Sequence, residues 1–510
     1  MYRNLISGNA KCKEFSFIVP FTVQKRYKSK KLKGAALAKM KYPVDKALEH
    51  FDDFYKKVYG KRWPSIRLAL LCPRKYCAVL NNYAETEVAA SQLENIGAIN
   101  LKNLYDLEKK NIKQNEQENE RKKGLEEIFK LDKKMEEMLI NTQEKELMSL
   151  YPQSVGDAMP PADILSDSTK QSDQHDVVMK ETNEEAEDLE VDSQRVINPV
   201  SGLSAAALYE YVPATRLKGM EDWIGESQHY RYYKTETDFP VHVENDSDFL
   251  FPEYLQVYTF ERGNISSFPP PRRDMTDLYN YYLMDGGSLL PVLALDLRPA
   301  DKVLDMCAAP GGKSYIMLQT LFPGNLVCNE AVESRMKRIH SMFDQFLHNK
   351  EKWAKRLIFT NQDARCITDY NVYNKILVDV PCTTDRHSLH ENDNNIFEPR
   401  RIKERLVIPE LQTDILSHAL KLVQPGGTVI YSTCTLSPIQ NDGVVHMALQ
   451  KIWQETDIQI VVKDMTTSLK PLQCAFKFAE NLGLRYGHLV LPFLPCNFGP
   501  MYVCKLVRIK

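Results

Sequence analysis

The second half of the sequence predicts an α/β fold: a mostly parallel sheet covered by helices on both faces and ended by an antiparallel strand. Three observations carry that expectation. From about residue 254 onward, short apolar runs alternate with segments of helical periodicity, which is how a parallel sheet buried on both sides reads. The run Lys302–Met306 stops in the small-residue loop Cys307-Ala308-Ala309-Pro310-Gly311-Gly312 and enters a helix near Lys313. A strand–loop–helix unit of this kind points unpaired backbone N–H groups into a crevice. Two late runs, His488–Leu491 and Met501–Val507, are spaced as an antiparallel pair.

The elements follow in chain order. Pro43–Gly60 is expected to be an amphipathic helix, with Val44, Ala47, Leu48, Phe51, Phe54, Tyr55 and Val58 near 3.6-residue spacing and Asp45 and Glu49 early. Trp63–Leu71 is a second apolar run, and residues 34–102 together read as a small N-terminal helical region. Residues 103–250 read as a charged, largely disordered insert. Its first part, Asn103–Leu150, is rich in Glu, Lys and Gln and fits a solvated helix. From Pro152 to Leu208 there is no aromatic residue and acids dominate, so too little apolar surface is present to offset the cost of ordering. The main domain is expected at 251–510. Within it Tyr254–Phe260, Asn325–Asn329, Arg356–Thr360, Lys375–Val380 and Thr428–Thr433 read as strands. Asp277–Leu297, Glu333–Leu347, Ile402–Val423 and about Gln440–Trp453 read as helices.

At 510 residues the chain is too long for one ordinary domain. Its formal charge of −2 averages over opposite ends. Residues 1–50 carry twelve Lys/Arg against three acids, and residues 151–200 carry three against twelve. No apolar run is long enough to cross a membrane. The eleven cysteines are scattered. Cys72 and Cys77 lack the second pair a zinc site needs, and free thiols fit a reducing compartment. Residues 1–33 hold nine Lys/Arg and one acid, Glu14, with Leu5, Ile6, Phe15, Phe17, Ile18, Phe21 and Val23 as an apolar complement. That is the composition of a mitochondrial presequence, or of a basic arm that touches RNA.

The loop after Lys302–Met306 excludes two nucleotide sites. A Walker A loop needs Gly where Cys307 stands, and Gly311-Gly312-Lys313-Ser314 does not complete G-x-G-x-x-G. The remaining common ligand is S-adenosyl-L-methionine. In open α/β sheets ligands sit at the carboxyl ends of the strands. Five such ends carry suggestive residues: the glycine loop; Glu330, a carboxylate for ribose hydroxyls; Asp363, placed for an adenine amine; Asp379-Val380-Pro381-Cys382; and Ser432-Thr433-Cys434. One buried cysteine behaves as a small hydrophobe. Two cysteines facing one crevice point to chemistry. Carbon 5 of cytosine is too electron-poor to attack a methyl sulfonium; a thiolate adding at carbon 6 makes it nucleophilic, and a carboxyl group at ring nitrogen 3 stabilises the adduct.

Asp305-Met306-Cys307-Ala308-Ala309-Pro310-Gly311-Gly312-Lys313, Asp379-Val380-Pro381-Cys382 and Ser432-Thr433-Cys434, in this order, resemble the motifs of the Nop/Sun family of RNA cytosine-5 methyltransferases. The resemblance covers roughly Tyr254 to Lys510. The string from Asp379 to His390 with Asn394-Asn395-Ile396-Phe397, together with Trp63–Arg67 and Asn497–Tyr502, is similar to the family's mitochondrial member that modifies small-subunit ribosomal RNA. The resemblance implies a class I S-adenosylmethionine-dependent methyltransferase fold for the catalytic domain, 251–510. It implies Cys434 as nucleophile, Cys382 as the residue that assists product release, and Asp379 as the group that holds the base. Cys307, Pro310, Gly311, Gly312, Lys313, Glu330, Arg335, Asp363 and Asp379 match cofactor-contacting positions. It further implies a mitochondrial matrix location, a ribosomal RNA substrate on the mitochondrial ribosomal subunit with an added part in its assembly, and a helical-repeat partner of the transcription-termination-factor type.

Two features depart from the family pattern. Thr383-Thr384-Asp385-Arg386 stands where many members have Ser-Gly-x-Gly, and the acidic insert is longer than the catalytic core requires. RNA contact is weakly encoded. Arg262, Arg272, Arg273, Lys337, Arg338, Arg386, Arg400, Arg401, Lys403 and Arg405 are candidates for a phosphate path, yet from residue 254 on there are 29 basic and 26 acidic residues. The small excess points to affinity borrowed from a partner. Two rival readings are a NAD-type oxidoreductase on the same sheet, which the missing fingerprint and the cysteine pair oppose, and a non-catalytic assembly factor, which the intact motifs oppose.

Overall fold

The computed structural model describes residues 42–150, 239–246, 248, 250–348 and 353–510. The expected presequence at 1–33 and the aromatic-free stretch 152–208 lie outside these residues. The chain begins with helices α1 (Pro43–Tyr59) and α2 (Trp63–Leu71), then β1 (Tyr76–Leu80), α3 (Thr86–Asn95), β2 (Ile99–Asn100) and the long α4 (Leu101–Leu150). β3 (His242–Asn245), β4 (Val257–Thr259), β5 (Tyr281–Asp285), α5 (Leu289–Ala294), β6 (Lys302–Asp305) and α6 (Gly312–Gln319) follow. Next come β7 (Asn325–Asn329), α7 (Glu333–Phe346), β8 (Leu357–Thr360), β9 (Tyr373–Asp379), α8 (Asp385–His390) and α9 (Ile402–Leu422). The chain ends with β10 (Val423–Thr433), α10 (Val444–Glu455), β11 (Ile460–Asp464), α11 (Thr466–Leu469), β12 (His488–Val490) and β13 (Met501–Arg508).

The main sheet runs β3-β11-β13-β10-β9-β6-β7-β8, with β12 also on β13. Strands β10, β9, β6, β7 and β8 are mutually parallel, and β13 is antiparallel to β10. Val303, Leu304 and Asp305 of β6 are all buried, as a strand covered on both faces requires. One apolar layer joins α1, α2, α9 and α10 to Ile376, Val378, Val429 and Tyr431 on one face of the sheet. The other joins α5, α6 and α7 to Val303, Leu326, Leu377 and Ile430. On α7 the buried residues Met336, Ile339, Phe343 and Phe346 repeat at helical spacing.

Three expectations change, and one strand was not expected. Asp277–Leu297 is not one helix: it gives β5, a 3₁₀ turn at Gly286–Ser288, and α5. An apolar run of this kind fits helix or strand by periodicity alone. Here Tyr281–Asp285 pairs antiparallel with all of β1, and Asp285 accepts from the Gly287 N–H to start the turn. The helical region at 34–102 contains two strands, and β1 pairs with β4 and β5, far along the chain. These form a second sheet, ordered β2-β4-β1-β5. The insert is structured at both ends. The helix at 101–150 is the one expected of Asn103–Leu150, with Leu101 and Tyr105 buried; the departure is β3, which joins the main sheet beside β11. β11 itself was in no expected element; its short Ile460-Val461-Val462 run is fixed by β3 and β13 on either side.

Candidate active site

The parallel register brings all five suggestive strand ends to one edge. Asp305 of β6 pairs with Leu377 of β9, and Ser432 of β10 pairs with Asp379. The Cys307–Gly311 loop, Glu330, Asp363, Cys382 and Cys434 therefore leave the sheet on the same side.

Gly311 caps α6 with φ +109°, a left-handed conformation that L side chains rarely adopt. A Cβ there would also clash with the Met342 methyl. At Gly312 a Cβ would meet the Tyr282 ring at 3.3 Å and Met284 at 3.5 Å. Both bare Cα atoms thus face protein side chains. The loop is therefore packed tightly against α7 and β5. The loop is tied further by Arg335, which donates to the Ala309 carbonyl at 3.2 Å and to Glu330 Oε1 at 3.3 Å. Glu330 is buried. Its Oε2 lies 3.2 Å from Arg335 Nη1 but accepts no hydrogen bond among the described residues. Asp363 is engaged by its neighbour: Arg365 Nη2 and Nε donate to it at 2.7 and 3.1 Å, and those bonds hold its carboxyl below the usual range. Pro310 is exposed and Cys307 part-buried, and burial pushes the Cys307 thiol up.

Asp379 accepts from Lys313 Nζ at 2.7 Å and from Ser432 Oγ at 2.9 Å, so both carboxylate oxygens are fixed. Burial works against the Lys313 charge, but the Asp379 carboxylate outweighs it and holds the ammonium above its ordinary pKa. Beside this pair, Cys382 Sγ and Cys434 Sγ are 3.2 Å apart, two free thiols in hydrogen-bond contact. The contact with Cys382, then burial, raises the Cys434 pKa well above the usual thiol value, and Lys313 pulls it the other way. Asp305, at the end of β6, is fully enclosed and accepts from Ser314 Oγ at 2.6 Å. Burial raises its carboxyl to about 7.

Behind the thiols lies a second carboxylate. Asp385 is completely buried and accepts from the Leu436 N–H at 2.7 Å and from the hydroxyls of Tyr55 (2.8 Å), Thr435 (2.8 Å) and Thr383 (2.9 Å). It joins the loop after Cys382, the loop after Cys434 and helix α1 in one network. The adjacent Arg386 donates to the carbonyls of Ala69, Cys72 and Gly499 and to Asn497 Oδ1.

A family model described as 16S rRNA methyltransferase RsmB/F matches residues 292–489. The 5-cytosine rRNA methyltransferase nsun-4 of Caenorhabditis elegans is 33% identical over 503 residues, 96% of this chain and 98% of that protein. The Bos taurus 5-cytosine rRNA methyltransferase NSUN4 is 44% identical over 256 residues, 50% of this chain and 66% of its own. A tRNA (cytosine(34)-C(5))-methyltransferase, mitochondrial, of Mus musculus is 36% identical over 260 residues, 51% of this chain and 72% of its own.

The chain belongs to the Nop/Sun family of RNA cytosine-5 methyltransferases. Its fold is that of class I S-adenosylmethionine-dependent methyltransferases, and S-adenosylmethionine is its cofactor. The residues at the glycine loop fit such a group. Glu330 Oε2 is a buried acceptor left without a hydrogen bond, which a pair of ribose hydroxyls would satisfy.

In this methyltransferase the departure from Ser-Gly-x-Gly has a physical account. Thr383, Asp385 and Arg386 each bond across to another segment, and glycines could not. Sequence reasoning named that string as a departure but gave Asp385 no role. It also placed Arg386 on a phosphate path, whereas the guanidinium is spent on four protein acceptors. Asp305 opens the glycine motif, which was its only signal. Tyr55, read as one apolar position of a helix, carried none for its hydroxyl.

Proposed function

We propose that this enzyme methylates carbon 5 of a cytosine in mitochondrial small-subunit ribosomal RNA through a covalent adduct with Cys434. The observation that carries the reading is the pair of thiols 3.2 Å apart beside an Asp379 fixed by Lys313 and Ser432. Asp379 holds the cytosine ring in the crevice. The Cys434 sulfur adds at carbon 6, and the ring electrons shift to make carbon 5 nucleophilic. S-adenosylmethionine, when bound, supplies an electrophilic methyl group. Cys307, Pro310, Gly311, Gly312, Lys313, Glu330, Arg335 and Asp363 are the residues we assign to hold it. Once carbon 5 is methylated, a base removes its proton, the carbon–sulfur bond breaks, and Cys434 leaves with the bond's electron pair. Cys382, one hydrogen bond away, assists that departure. A cytosine within a duplex has to be unstacked to reach the thiols.

The mitochondrial matrix location rests on the basic composition of residues 1–33 and on the mitochondrial tRNA methyltransferase among the relatives. A helical-repeat partner of the transcription-termination-factor type, implied by the family resemblance, is proposed to supply RNA affinity that a nearly balanced catalytic domain lacks, and to link the enzyme to assembly of the ribosomal subunit. No helix among the described residues is long and apolar enough to cross a membrane. Bisulfite sequencing of mitochondrial and cytosolic ribosomal RNA from cells with and without the protein tests the reading. One protected cytosine in the mitochondrial small-subunit RNA should disappear with the protein; an unchanged pattern overturns it.

A further inference from the structure

A cavity of about 350 Å³ lies where three segments meet: residues 72–76 before and at the start of β1, residues 264–268 between β4 and β5, and residues 494–497 before β13. Its place in the fold is informative. β13 is antiparallel to β10 and pairs Tyr502 with Thr433, so the chain just before β13 lies at the edge where Cys434 leaves the sheet. Arg386, four residues past Cys382, bonds to two cavity-wall groups, the Cys72 carbonyl and Asn497 Oδ1. The cavity is thus one side chain, Arg386, from the loop after Cys382.

The lining has the chemistry of a nucleotide site. Arg74 is exposed and stands over the Tyr76 ring at 5.1 Å, with its Nε donating to the Tyr76 hydroxyl at 3.0 Å. Nearby, Arg262 and Lys477 lie over the Phe493 ring at 4.8 and 5.3 Å, next to Leu494 of the wall. None of these three cations is in an ion pair among the described residues. Apolar surface is left bare at the same place: Ile265 is 99% exposed, and Leu494 and Tyr76 are 49% and 38% exposed. Ser266 and Ser267 line the cavity with short hydroxyl side chains. Lys75, by contrast, is tied to the carbonyls of Phe260 and Glu261 and serves to hold the rim. Unpaired cations around a stacked ring and exposed apolar side chains match single-stranded nucleic acid, whose phosphates need charge and whose bases need a flat surface. A flipped target leaves its neighbours unstacked, so such a surface beside the crevice has an immediate use.

We propose that this cavity seats an unpaired RNA nucleotide adjacent to the target cytosine, with Arg74 on its phosphate and Tyr76 against its base. The proposal rests on the reading of the protein as an RNA methyltransferase and deepens it. The test uses the full chain and a short single-stranded RNA spanning the cytosine located by bisulfite sequencing. Wild type, Tyr76→Ala and Arg74→Ala are compared for kcat, KM for RNA and affinity for S-adenosylmethionine. A set of RNAs carrying one abasic residue at each flanking position is run against each protein. Both variants should bind the cofactor as wild type does, keep kcat, and raise KM for RNA about tenfold, the scale of one lost stacking contact. One abasic position should penalise wild type and cost Tyr76→Ala nothing further. If the variants match wild type on intact RNA, or every abasic penalty is the same in both proteins, the cavity is not a nucleotide site. A wild-type protein that methylates no RNA would instead overturn the functional reading, and this proposal with it.

Discussion

The two cysteine loops have a sealed side and an open side. On the sealed side, Asp385 is fully buried and accepts four hydrogen bonds from α1, from the loop after Cys382 and from the loop after Cys434. On the open side, Cys382 and Cys434 are part-buried, and Glu330 Oε2 accepts no hydrogen bond among the described residues. A saturated buried network is rigid, and each of its members is costly to remove. Groups left short of partners are those with something still to bind or to exchange. Rigidity is thus concentrated one residue layer behind the chemistry, without occupying either thiol.

The largest effect should come from the open side. Cys434→Ala should be inactive and form no covalent complex, because the sulfur we assign to add at carbon 6 is gone. Cys382→Ala still permits addition and should accumulate a protein–RNA adduct that survives denaturing gel electrophoresis. If Cys434→Ala traps RNA and Cys382→Ala does not, the two roles are reversed. Since Cys434 is held protonated at neutral pH by Cys382 and by burial, adduct formation by the wild type should rise as pH increases above 7.

Asp385→Ala attacks the sealed side. It strands three hydroxyls and one backbone N–H in a buried space, and should cost on the order of 4 kcal/mol of unfolding free energy. Denaturant titration reads this. A loss under about 1 kcal/mol would mean that water or rearranged partners replace the carboxylate, and that the sealed side is less rigid than the hydrogen bonds indicate.

Asp305→Asn tests the threshold between the two sides. Burial raises the Asp305 carboxyl from 3.8 to about 7. Between those values the native state holds the proton more tightly than the unfolded chain does. Native stability from this group is therefore full below about pH 4 and is lost as pH rises toward 7. Asn titrates nowhere in this range and can still accept from Ser314. The variant should gain stability relative to wild type as pH rises, by a few kcal/mol at most at pH 8, and show no gain at pH 4. Thermal unfolding at the two pH values reads the difference; equal effects at both would show that Asp305 does not titrate in this window.

What the sequence disclosed follows the same division. The open side was legible because its residues sit at strand ends: an apolar run followed by Gly311-Gly312, Cys382 or Cys434 is a local pattern, and a parallel sheet gathers such ends at one edge. The sealed side was not, because Asp385 meets Tyr55 across 330 residues and no spacing encodes that contact. The N-terminal strands were missed for the same reason, since β1 becomes a strand only through partners in β4 and β5. Asp277–Leu297 failed differently. Its apolar content was read correctly, but Tyr281–Asp285 pairs with β1, and at Gly286, where a Cβ would stand 2.8 Å from the Phe498 ring, the chain turns from strand into α5.

Tyr55→Phe is the mildest way to probe the join between the N-terminal helices and the thiol loops. Burial, then the nearby Asp385 carboxylate, pushes the Tyr55 phenol well up, so the hydroxyl is a permanent donor. Phe preserves the ring contacts with Phe51 at 5.0 Å and Trp63 at 5.4 Å and removes only that donor. Asp385 then keeps three of its four hydrogen bonds, two from threonines whose hydroxyls can rotate to follow it. The expected loss is about 1 kcal/mol, one net hydrogen bond, in a denaturant titration. KM for RNA should not change, because Tyr55 faces the sealed side. A fall in kcat with intact stability would show instead that α1 sets the position of the thiols, since the Asp385 carboxylate would have moved with the loss of the one donor that anchors it to the helix.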